Sequence, residues 1–451
     1  MKIHLIATGG SAMHNMAIAL HLKGYQVTGS DDEIFEPSKG RLKKYGLLPD
    51  KIGWNANSIT SDLDAVILGM HARKDNPELI KAQELGLNIY SYPEYIFNQS
   101  EGKKRIVIGG SHGKTSITAM ILHVLNALGF NYDYMVGAQL EGFECMVKLS
   151  HDAPIIILEG DEYLSSPIDR RPKFHLYKAH TAVISGIAWD HINVFPTFKN
   201  YVDQFQIFTD SIEDGGKLIY CESDNEVKSI GEKFNGTSIP YGGHEHKIVN
   251  GKTILLDAGV EFPISVFGEH NLQNLNAALN VCLDLGINKN NFYNAIADFT
   301  GASKRLELVK ENNNSAVYKD FAHSPSKLKA TSKAMKEQFE NRSLVACMEL
   351  HTFSSLNEDF LKQYEGCMDA PDTAYVFFSP KALAHKKLPE ITSEQVYNAF
   401  GRKDLKVFTS SEEFLQELKA KNWSSQNLLL MSSGNFEGVD FNELATELLG
   451  K

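Results

Sequence analysis

Short apolar runs alternate with half-apolar, helix-like stretches along most of this chain. The first pair is an apolar run at Ile3–Ala7 followed, after a Gly9-Gly10 turn, by a helical stretch at Ser11–Leu22. Buried parallel strands read as continuous apolar runs, and the helices that connect them carry one apolar face. The alternation therefore predicts an α/β protein built on doubly wound parallel sheets.

The same pattern continues to the C-terminus. The other runs that we predict as strands are Tyr25–Gly29, Leu63–Leu68, Arg105–Ile108, Pro154–Leu158, Thr181–Ser185, Ala316–Lys319, Leu344–Met348, Ala374–Phe378, Lys406–Phe408 and Leu428–Met431. The stretches that we predict as helices are Pro77–Leu85, Ile117–Leu125, Ser326–Phe339 and Glu412–Lys421. At 451 residues the chain is too long for one core. We predict three α/β domains, at residues 1–100, 101–300 and 301–451, the first and third Rossmann-like.

Composition narrows the class of protein. Apolar residues make up 43% and charged residues 22%, as in ordinary globular proteins. The net charge of -11 argues against non-specific binding to nucleic acid or to an anionic membrane. The apolar run at the N-terminus is too short for a signal peptide, and the five cysteines are scattered. We expect a cytoplasmic protein with free thiols and no membrane or nucleic-acid partner; the oligomeric state stays open.

The most specific motif is a glycine loop between a predicted strand and a predicted helix. It reads Gly109-Gly110-Ser111-His112-Gly113-Lys114-Thr115-Ser116. Strand, glycine loop, Lys-Thr and helix form the context of a phosphate-binding loop, although Ile108 replaces the first glycine of the common pattern. Backbone N–H groups of such a loop bind phosphate oxygens, the lysine reaches the outer phosphates, and the threonine hydroxyl binds Mg²⁺. The motif predicts an ATP-dependent protein without naming the phosphoryl acceptor.

Carboxylates follow the strand that begins at Pro154. Glu159, Asp161 and Glu162 lie at its carboxyl end, where open α/β sheets bind ligands. Because a phosphate loop lies beside this edge, we interpret a carboxylate there as a Mg²⁺ ligand rather than as part of a solvated acidic loop. His191 follows the next predicted strand and is either a metal ligand, a charge partner for phosphate, or a surface residue.

Two further signals are ambiguous by themselves. The Gly9-Gly10 turn, with Asp31 about 20 residues later, resembles a dinucleotide fingerprint without its last glycine, and plain α/β packing explains it equally well. Asn271 and Asn274 lie in the first turns of a predicted helix, where asparagine either caps the helix or reads a purine edge.

Taken in order, these motifs resemble those of the Mur ligase family. The resemblance covers almost the whole chain and rests on six motifs that follow the family's order. They are Gly110–Ser116, Glu159–Glu162, Asp190-His191, Gly268–Asn271 with Asn274, Lys304–Glu307 and Asp320–His323. The resemblance implies three domains, which bind a UDP-sugar, ATP and the acceptor in chain order. It also implies that ATP and Mg²⁺ drive amide formation between UDP-N-acetylmuramate and an amino acid or peptide.

The resemblance also implies roles for individual residues. Lys114 holds the β- and γ-phosphates, Arg305 reaches the phosphates, and His323 lies near the reacting groups. The implied ATP-binding residues are Gly110, Ser111, His112, Gly113, Lys114, Thr115, Ser116, Asn271, Asn274, Arg305 and Asp320. The implied Mg²⁺ ligands are Thr115, Glu159 and His191. The implied UDP-sugar-binding residues are Gly9, Gly10, Ser11, Ala12, Met13, Ser30 and Asp31.

Within the family, two branches remain in question. Glu162-Tyr163, Asp169–Phe174 and Tyr177 resemble the branch that recycles the tripeptide L-Ala-γ-D-Glu-meso-diaminopimelate, which we therefore predict as acceptor. The alternatives are the branch that adds L-alanine and, from a different class, a regulatory protein that hydrolyses ATP without ligation. The departures from the family pattern are Gly186, Asn193, Ser324 and the Glu349–Ser355 stretch that contains His351.

Overall fold

A computed structural model of the chain describes residues 1–140, 142–189, 194–302 and 305–450. The chain divides into two compact units. Unit 1 comprises Met1–Gly242 and Gln273–Ile296, and unit 2 comprises Gly243–Leu272 and Ala297–Lys451. Unit 1 contains two sheets with mainly parallel strands, and unit 2 contains a small antiparallel sheet and a large, mainly parallel sheet. The predicted α/β class is confirmed, whereas the three predicted domain boundaries stay a prediction.

The first sheet of unit 1 has four parallel strands in the order β2-β1-β3-β4. Its strands are β1 (Lys2–Ile6), β2 (Gln26–Ser30), β3 (Ala65–Leu68) and β4 (Ile89–Ser91). The helices along this part of the chain are α1 (Ser11–Leu22), α2 (Ser38–Lys44), α3 (Pro77–Glu84) and α4 (Tyr92–Gln99), with a 3-10 turn at Ala56–Ser58. The predicted bounds of α1 are confirmed. Asn76 caps α3 and Ser91 caps α4 through the side-chain bonds that these residue types favour.

The second sheet has seven strands in the order β11-β10-β9-β5-β8-β6-β7. The strands are β5 (Lys104–Gly109), β6 (Asp133–Met135), β7 (Val147–Lys148), β8 (Ile155–Glu159), β9 (Thr181–Ile184), β10 (Lys217–Cys221) and β11 (Thr237–Tyr241). The helices are α5 (Lys114–Ala127), α6 (Phe198–Asp210) and α7 (Asn225–Lys233), with a 3-10 turn at Lys173–Leu176. Only the β6–β7 pair is antiparallel among the pairs of this sheet in the described residues. The central strands β5, β8 and β9 are buried along almost their whole length, as their apolar runs predict.

Unit 2 begins with a three-stranded antiparallel sheet in the order β12-β13-β14. Its strands are β12 (His246–Val249), β13 (Lys252–Asp257) and β14 (Val260–Ile264). The sequence analysis did not predict this sheet, whose strands β12 and β14 are mostly exposed. Two helices follow in the chain: α8 (Glu269–Asp284), which belongs to unit 1 from Gln273 onward, and α9 (Lys289–Ile296), which belongs to unit 1.

The large sheet of unit 2 has six strands in the order β15-β16-β20-β17-β18-β19. They are β15 (Glu307–Glu311), β16 (Ala316–Asp320), β17 (Ser343–Leu350), β18 (Thr373–Phe378), β19 (Lys406–Phe408) and β20 (Gln426–Met431). The helices are α10 (Pro325–Gln338), α11 (Glu358–Leu361), α12 (Pro380–His385), α13 (Ser393–Phe400), α14 (Ser411–Lys419) and α15 (Phe441–Leu449), with a 3-10 turn at Lys362–Tyr364. The edge strand β15 pairs antiparallel with β16, and the other neighbours are parallel. Separate apolar clusters cover the two faces, as a doubly wound sheet requires.

Two expectations from composition can be compared with the described residues. All five cysteines are free thiols, as predicted, and all five are buried. Within the described part of the chain, none of the helices combines the length and the apolar character that crossing a bilayer requires.

Candidate functional site

The glycine loop joins the end of β5 to the start of α5 at the centre of the seven-stranded sheet. Gly110 has φ 135° and Gly113, which caps α5, has φ 80°. A Cβ atom on Gly110 would overlap Ser185 Oγ, and one on Gly113 would overlap the Asn274 side chain. Both positions therefore require glycine on backbone and steric grounds. The loop opens towards the carboxyl edge of the sheet, where α/β proteins bind ligands.

Lys114, the first residue of α5, is bonded within unit 1. Its ammonium donates to the Gly110 carbonyl (2.5 Å) and to the Glu162 carboxylate (2.6 Å). Glu162 also accepts a hydrogen bond from the Tyr201 hydroxyl (3.0 Å). Burial opposes the charge on Lys114, but the carboxylates of Glu162 and then Asp161 outweigh it and raise the pKa of the ammonium above its usual value. The lysine is therefore a cation that lies at the mouth of the loop.

Glu159 and Thr115 meet beside the lysine. The Thr115 hydroxyl donates to Glu159 (2.9 Å), and the Gly137 backbone N–H donates to the other carboxylate oxygen (3.1 Å). Burial raises the pKa of Glu159, and the nearby Lys114 ammonium offsets only part of that effect. A hydroxyl and a carboxylate are the hard oxygen donors that Mg²⁺ prefers, so this pair fits the predicted ion. No cluster of three or more His, Cys, Asp or Glu side chains suited to a metal occurs in the described residues.

The rest of the loop is tied to the end of β9. The Ser111 N–H donates to the Gly186 carbonyl (2.9 Å), and the Ser185 hydroxyl donates to the His112 carbonyl. A Cβ atom on Gly186 would overlap the His112 ring. The departure at Gly186 therefore makes room for His112. Ser116 is buried in the first turn of α5.

Several predicted residues lie outside the described part of the chain. They are Asp190, His191, Asn193 and Lys304. The metal role of His191 therefore stays a prediction. The described residue before them, Trp189, donates its indole N–H to the Phe195 carbonyl (3.0 Å).

The glycine turn after β1 is closed by Asp31 at the end of β2. The carboxylate of Asp31 accepts the Gly9 N–H (2.6 Å), and a Cβ atom on Gly9 would come within 2.9 Å of the same oxygen. Burial raises the pKa of Asp31, and the Gly9 N–H partly offsets this shift. Gly10 caps α1, Ser11 and Ala12 are exposed in its first turn, and Met13 is buried. The structure thus brings the turn and Asp31 together but places the Met13 side chain in the core.

A buried network beneath this turn escaped the sequence analysis. Glu78, from the first turn of α3, accepts hydrogen bonds from the Ser30 hydroxyl and the Asn55 N–H (2.7 Å), and lies 3.3 Å from the His4 ring. Ser30 therefore faces this network and not open solvent. Ser30 and His4 are 48 and 74 residues away from Glu78 in the chain, so spacing alone could not have joined them.

The predicted residues of unit 2 gather at the end of β16. Asp320 accepts the backbone N–H groups of Leu306 and Ala322 (2.6 Å each), while burial raises its pKa and Arg305 opposes the shift. The Arg305 guanidinium lies over the Phe321 ring, 4.9 Å from its centre. His323 lies within 2.8 Å of the Phe321 carbonyl, and its own carbonyl accepts the Tyr364 hydroxyl (2.6 Å). Ser324 precedes α10 without capping it through its side chain.

Two asparagines predicted to hold adenine lie in the first two turns of α8. Asn271, in unit 2, donates its side-chain amide to the Phe267 carbonyl (2.9 Å), which is a local bond. Asn274, in unit 1, lies against the phosphate loop at Gly113. The asparagines thus differ in surroundings, and their roles towards ATP stay predictions.

At the carboxyl edge of the unit 2 sheet, Glu349 binds the loop that follows β20. It is buried and accepts hydrogen bonds from the Ser432 hydroxyl and the Phe436 N–H (2.9 Å). His351 lies 3.6 Å from the same carboxylate and is partly exposed. The Glu349–Ser355 stretch thus holds the glycine loop that follows β20 and offers His351 to solvent.

Comparison with known proteins gives one consistent family. The Mur ligase middle domain matches residues 108–282, and the Mur ligase family catalytic domain matches residues 2–101. The UDP-N-acetylmuramate–L-alanine ligase of Sulfurihydrogenibium sp. is 30% identical over 384 residues, which cover 83% of this chain and 82% of that protein.

Solved structures share the fold over almost the whole chain. The UDP-N-acetylmuramate–alanine ligase of Thermotoga maritima has a TM-score of 0.70 at 21% identity and covers 97% of this chain and 96% of its own. The murein peptide ligase of Psychrobacter arcticus has a TM-score of 0.62 at 21% identity, with coverage of 100% and 99%. At these identities both structures establish the fold and leave the acceptor open.

Proposed function

The chain belongs to the Mur ligase family, and from that premise we propose that it joins UDP-N-acetylmuramate to the tripeptide L-Ala-γ-D-Glu-meso-diaminopimelate. Membership makes it an ATP-dependent ligase of the class that links an acid to an amino acid or peptide. The observation that supports the ATP-dependent step of the proposal is the phosphate loop, with Lys114 at its mouth and the Thr115–Glu159 pair beside it.

The proposed reaction has two steps. An oxygen of the lactyl carboxylate attacks the γ-phosphorus of ATP, ADP leaves, and an acyl phosphate forms. The amine of the acceptor then attacks the acyl carbon, loses a proton, and expels phosphate to leave an amide. In the first step two anions must approach each other, so positive charge at the loop is the main requirement.

The chain's own residues supply that charge and the positioning. Lys114 would exchange its present partners for phosphate oxygens, as the loop N–H groups surround the same oxygens. Thr115 and Glu159 would hold Mg²⁺, which when bound neutralises charge on the phosphates. The family resemblance implies that Arg305 binds the phosphates and that Asp320 binds the ribose. Asp31 and the Gly9-Gly10 turn would hold the UDP-sugar in the first sheet's carboxyl edge.

The choice of the tripeptide rests on the run from Glu162 to Tyr177. In unit 1 this run turns back on itself through an antiparallel bridge between Leu164 and Pro172. Lys173 pairs with Asp161 (2.5 Å), Arg171 pairs with Asp169 (2.7 Å), and Tyr177 is fully buried. The charged residues shared with the recycling branch therefore support the turn that carries Glu162. The rival acceptor is L-alanine, which the Sulfurihydrogenibium relative is named for.

Phosphate release from ATP tests the proposal directly. The assay contains UDP-N-acetylmuramate and either the tripeptide or L-alanine, at matched concentrations. We expect turnover with the tripeptide at least tenfold above that with L-alanine. The reverse ratio would assign the chain to cell-wall synthesis, and phosphate release that needs no amine would favour the regulatory ATPase.

A further inference from the structure

Glu162 has a place in the ATP site that the metal and phosphate roles leave unexplained. Its carboxylate is 2% exposed and faces the Lys114 ammonium, which is 14% exposed, at 2.6 Å. Glu159, three residues earlier, is engaged with Thr115 and Gly137 instead. The two glutamates thus divide the site, one beside the predicted metal ligand and the other beside the loop lysine.

The Glu162 carboxylate is held in place from its other side. Tyr201, a fully buried residue of α6, donates its hydroxyl to the second oxygen of Glu162 (3.0 Å). The Ser111 hydroxyl lies 2.8 Å from Tyr201 and accepts the Ala188 N–H (2.9 Å). Because this chain of bonds fixes the carboxylate to α6 and to the loop itself, Glu162 cannot follow Lys114 when the lysine moves. The flexible partner is the lysine.

We propose that Glu162 is a positioning residue that competes with nucleotide phosphates for the Lys114 ammonium and so controls how tightly nucleotide binds and how fast ADP leaves. This inference rests on the proposed function in one respect, namely that nucleotide phosphates bind at the loop. When phosphate arrives, Lys114 must give up Glu162; when ADP leaves, Glu162 restores the lost counter-charge. A ligand's apparent affinity falls in proportion to the fraction of molecules in which its partner group is free.

Replacing the carboxylate by an amide of the same shape should remove that competition. Glu162→Gln should therefore bind ADP about five- to tenfold more tightly than the unmodified protein, with ADP dissociation slowed by a similar factor, as expected if Lys114 is free in about a tenth of molecules. Steady-state turnover should fall as ADP release slows. A residue with a merely structural role would weaken binding when replaced, so the direction of the change identifies the competition.

Stopped-flow binding of a fluorescent ADP with Mg²⁺, without UDP-sugar or acceptor, measures both quantities on the full chain. The variants are Glu162→Gln, Lys114→Met and the double variant. The tightening should disappear in the Lys114→Met background, because the proposed competition is for that lysine. The matched control is Glu213→Gln, which removes the same charge from a glutamate paired with Arg105 in the same unit (2.7 Å).

Two results would overturn the inference: Glu162→Gln binding ADP no more tightly than the unmodified protein, or tightening that persists without Lys114. Failure of the unmodified protein to bind ADP would overturn the proposed function as well, so the two failures are distinguishable. If thermal melting shows that Glu162→Gln does not fold, Glu162→Asp replaces it. The shorter side chain retreats from Lys114 and should tighten binding by a smaller factor, and its failure to do so would also reject the competition.

Discussion

The two edges of the seven-stranded sheet both contain a buried carboxylate paired with lysine. At the carboxyl edge Glu162 pairs with Lys114 of the glycine loop. At the amino edge Asp284, the last residue of α8, accepts hydrogen bonds from Lys104 (2.7 Å), Lys217 (2.5 Å) and Thr181 (2.7 Å). These three donors are the first residues of β5, β10 and β9. The charges are similar at the two edges, but the backbone that carries each lysine is different.

That difference separates a structural ion pair from a functional one. At the amino edge every donor is fixed by a strand, and Asp284, 1% exposed, ties one helix end to three strands at once. At the carboxyl edge the lysine follows a glycine loop, and in the proposed function phosphate replaces its carboxylate partner, Glu162. The same pairing therefore stabilises the fold where both partners are fixed, and prepares a binding site where one partner can exchange.

The largest expected effect is at the carboxyl edge. Lys114→Met should lower kcat/KM for ATP by about 10³-fold, because it removes a buried positive charge from the developing phosphoryl transition state. Its melting temperature should change by only a few degrees. Phosphate release and thermal melting measure the two effects. Lys104→Met at the opposite edge is the matched control, and we expect it to keep activity within about threefold; a Lys114→Met enzyme with a tenth of normal activity would contradict this assignment.

A smaller effect, on stability alone, is expected at the amino edge. Asp284→Asn should lower the free energy of unfolding by about 2 kcal/mol, below the cost of breaking a fully buried pair, since Lys104 and Lys217 are partly exposed and can be solvated. Hydrogen exchange should increase in β5, β9 and β10 more than in the sheet of unit 2. Equal increases in both units would reject a local role for Asp284.

The smallest expected effect is the pH dependence of the stability difference between the unmodified protein and Asp284→Asn. Burial would raise the pKa of Asp284, but hydrogen bonds from Lys104, Lys217 and Thr181 outweigh it and hold the pKa below its usual value of 3.8. A carboxyl with a lowered pKa contributes stability above its unfolded pKa and loses it as the pH falls through the folded value. Denaturant unfolding of the unmodified protein and Asp284→Asn should therefore differ fully at pH 6–7 and progressively less below about pH 3.8. A difference that is constant down to pH 3 would mean that the charge of Asp284 contributes nothing.

Sequence reasoning succeeded where the signal is local and strongly apolar. It predicted the central strands of both large sheets and placed α1 and β19 at their observed bounds. It missed β10, although that strand is almost wholly buried. It also missed β11 and the β12–β14 sheet, whose strands are partly exposed and whose residues alternate less clearly. It also expected parallel strands throughout, whereas the edge strands β7 and β15 run antiparallel. Edge strands have one neighbour and a mixed environment, so their apolar pattern carries little information about direction.

In the candidate site, too, sequence reasoning found only residues that are close together in the chain. Gly110, Gly113, Lys114 and Thr115 could be found from the sequence because they are consecutive parts of one turn. Tyr201 could not be found, because it reaches Glu162 from 39 residues away through a fully buried hydroxyl. In its sequence context it is simply one aromatic residue of an amphipathic helix. Glu78 was likewise unremarkable in sequence, although it links β1, β2 and α3.

The order of residues along this chain was enough to specify the α/β class, the phosphate loop and the family, because strand patterns, glycine turns and capping residues act over a few neighbouring positions. The folded structure alone decided which partner each charged side chain would meet. Glu159 meets Thr115, Glu162 meets Lys114, and Asp284 meets two lysines. The physical reason is that an ion pair depends on distance and burial, and both are set by how the strands are ordered in the sheet rather than by separation in the sequence.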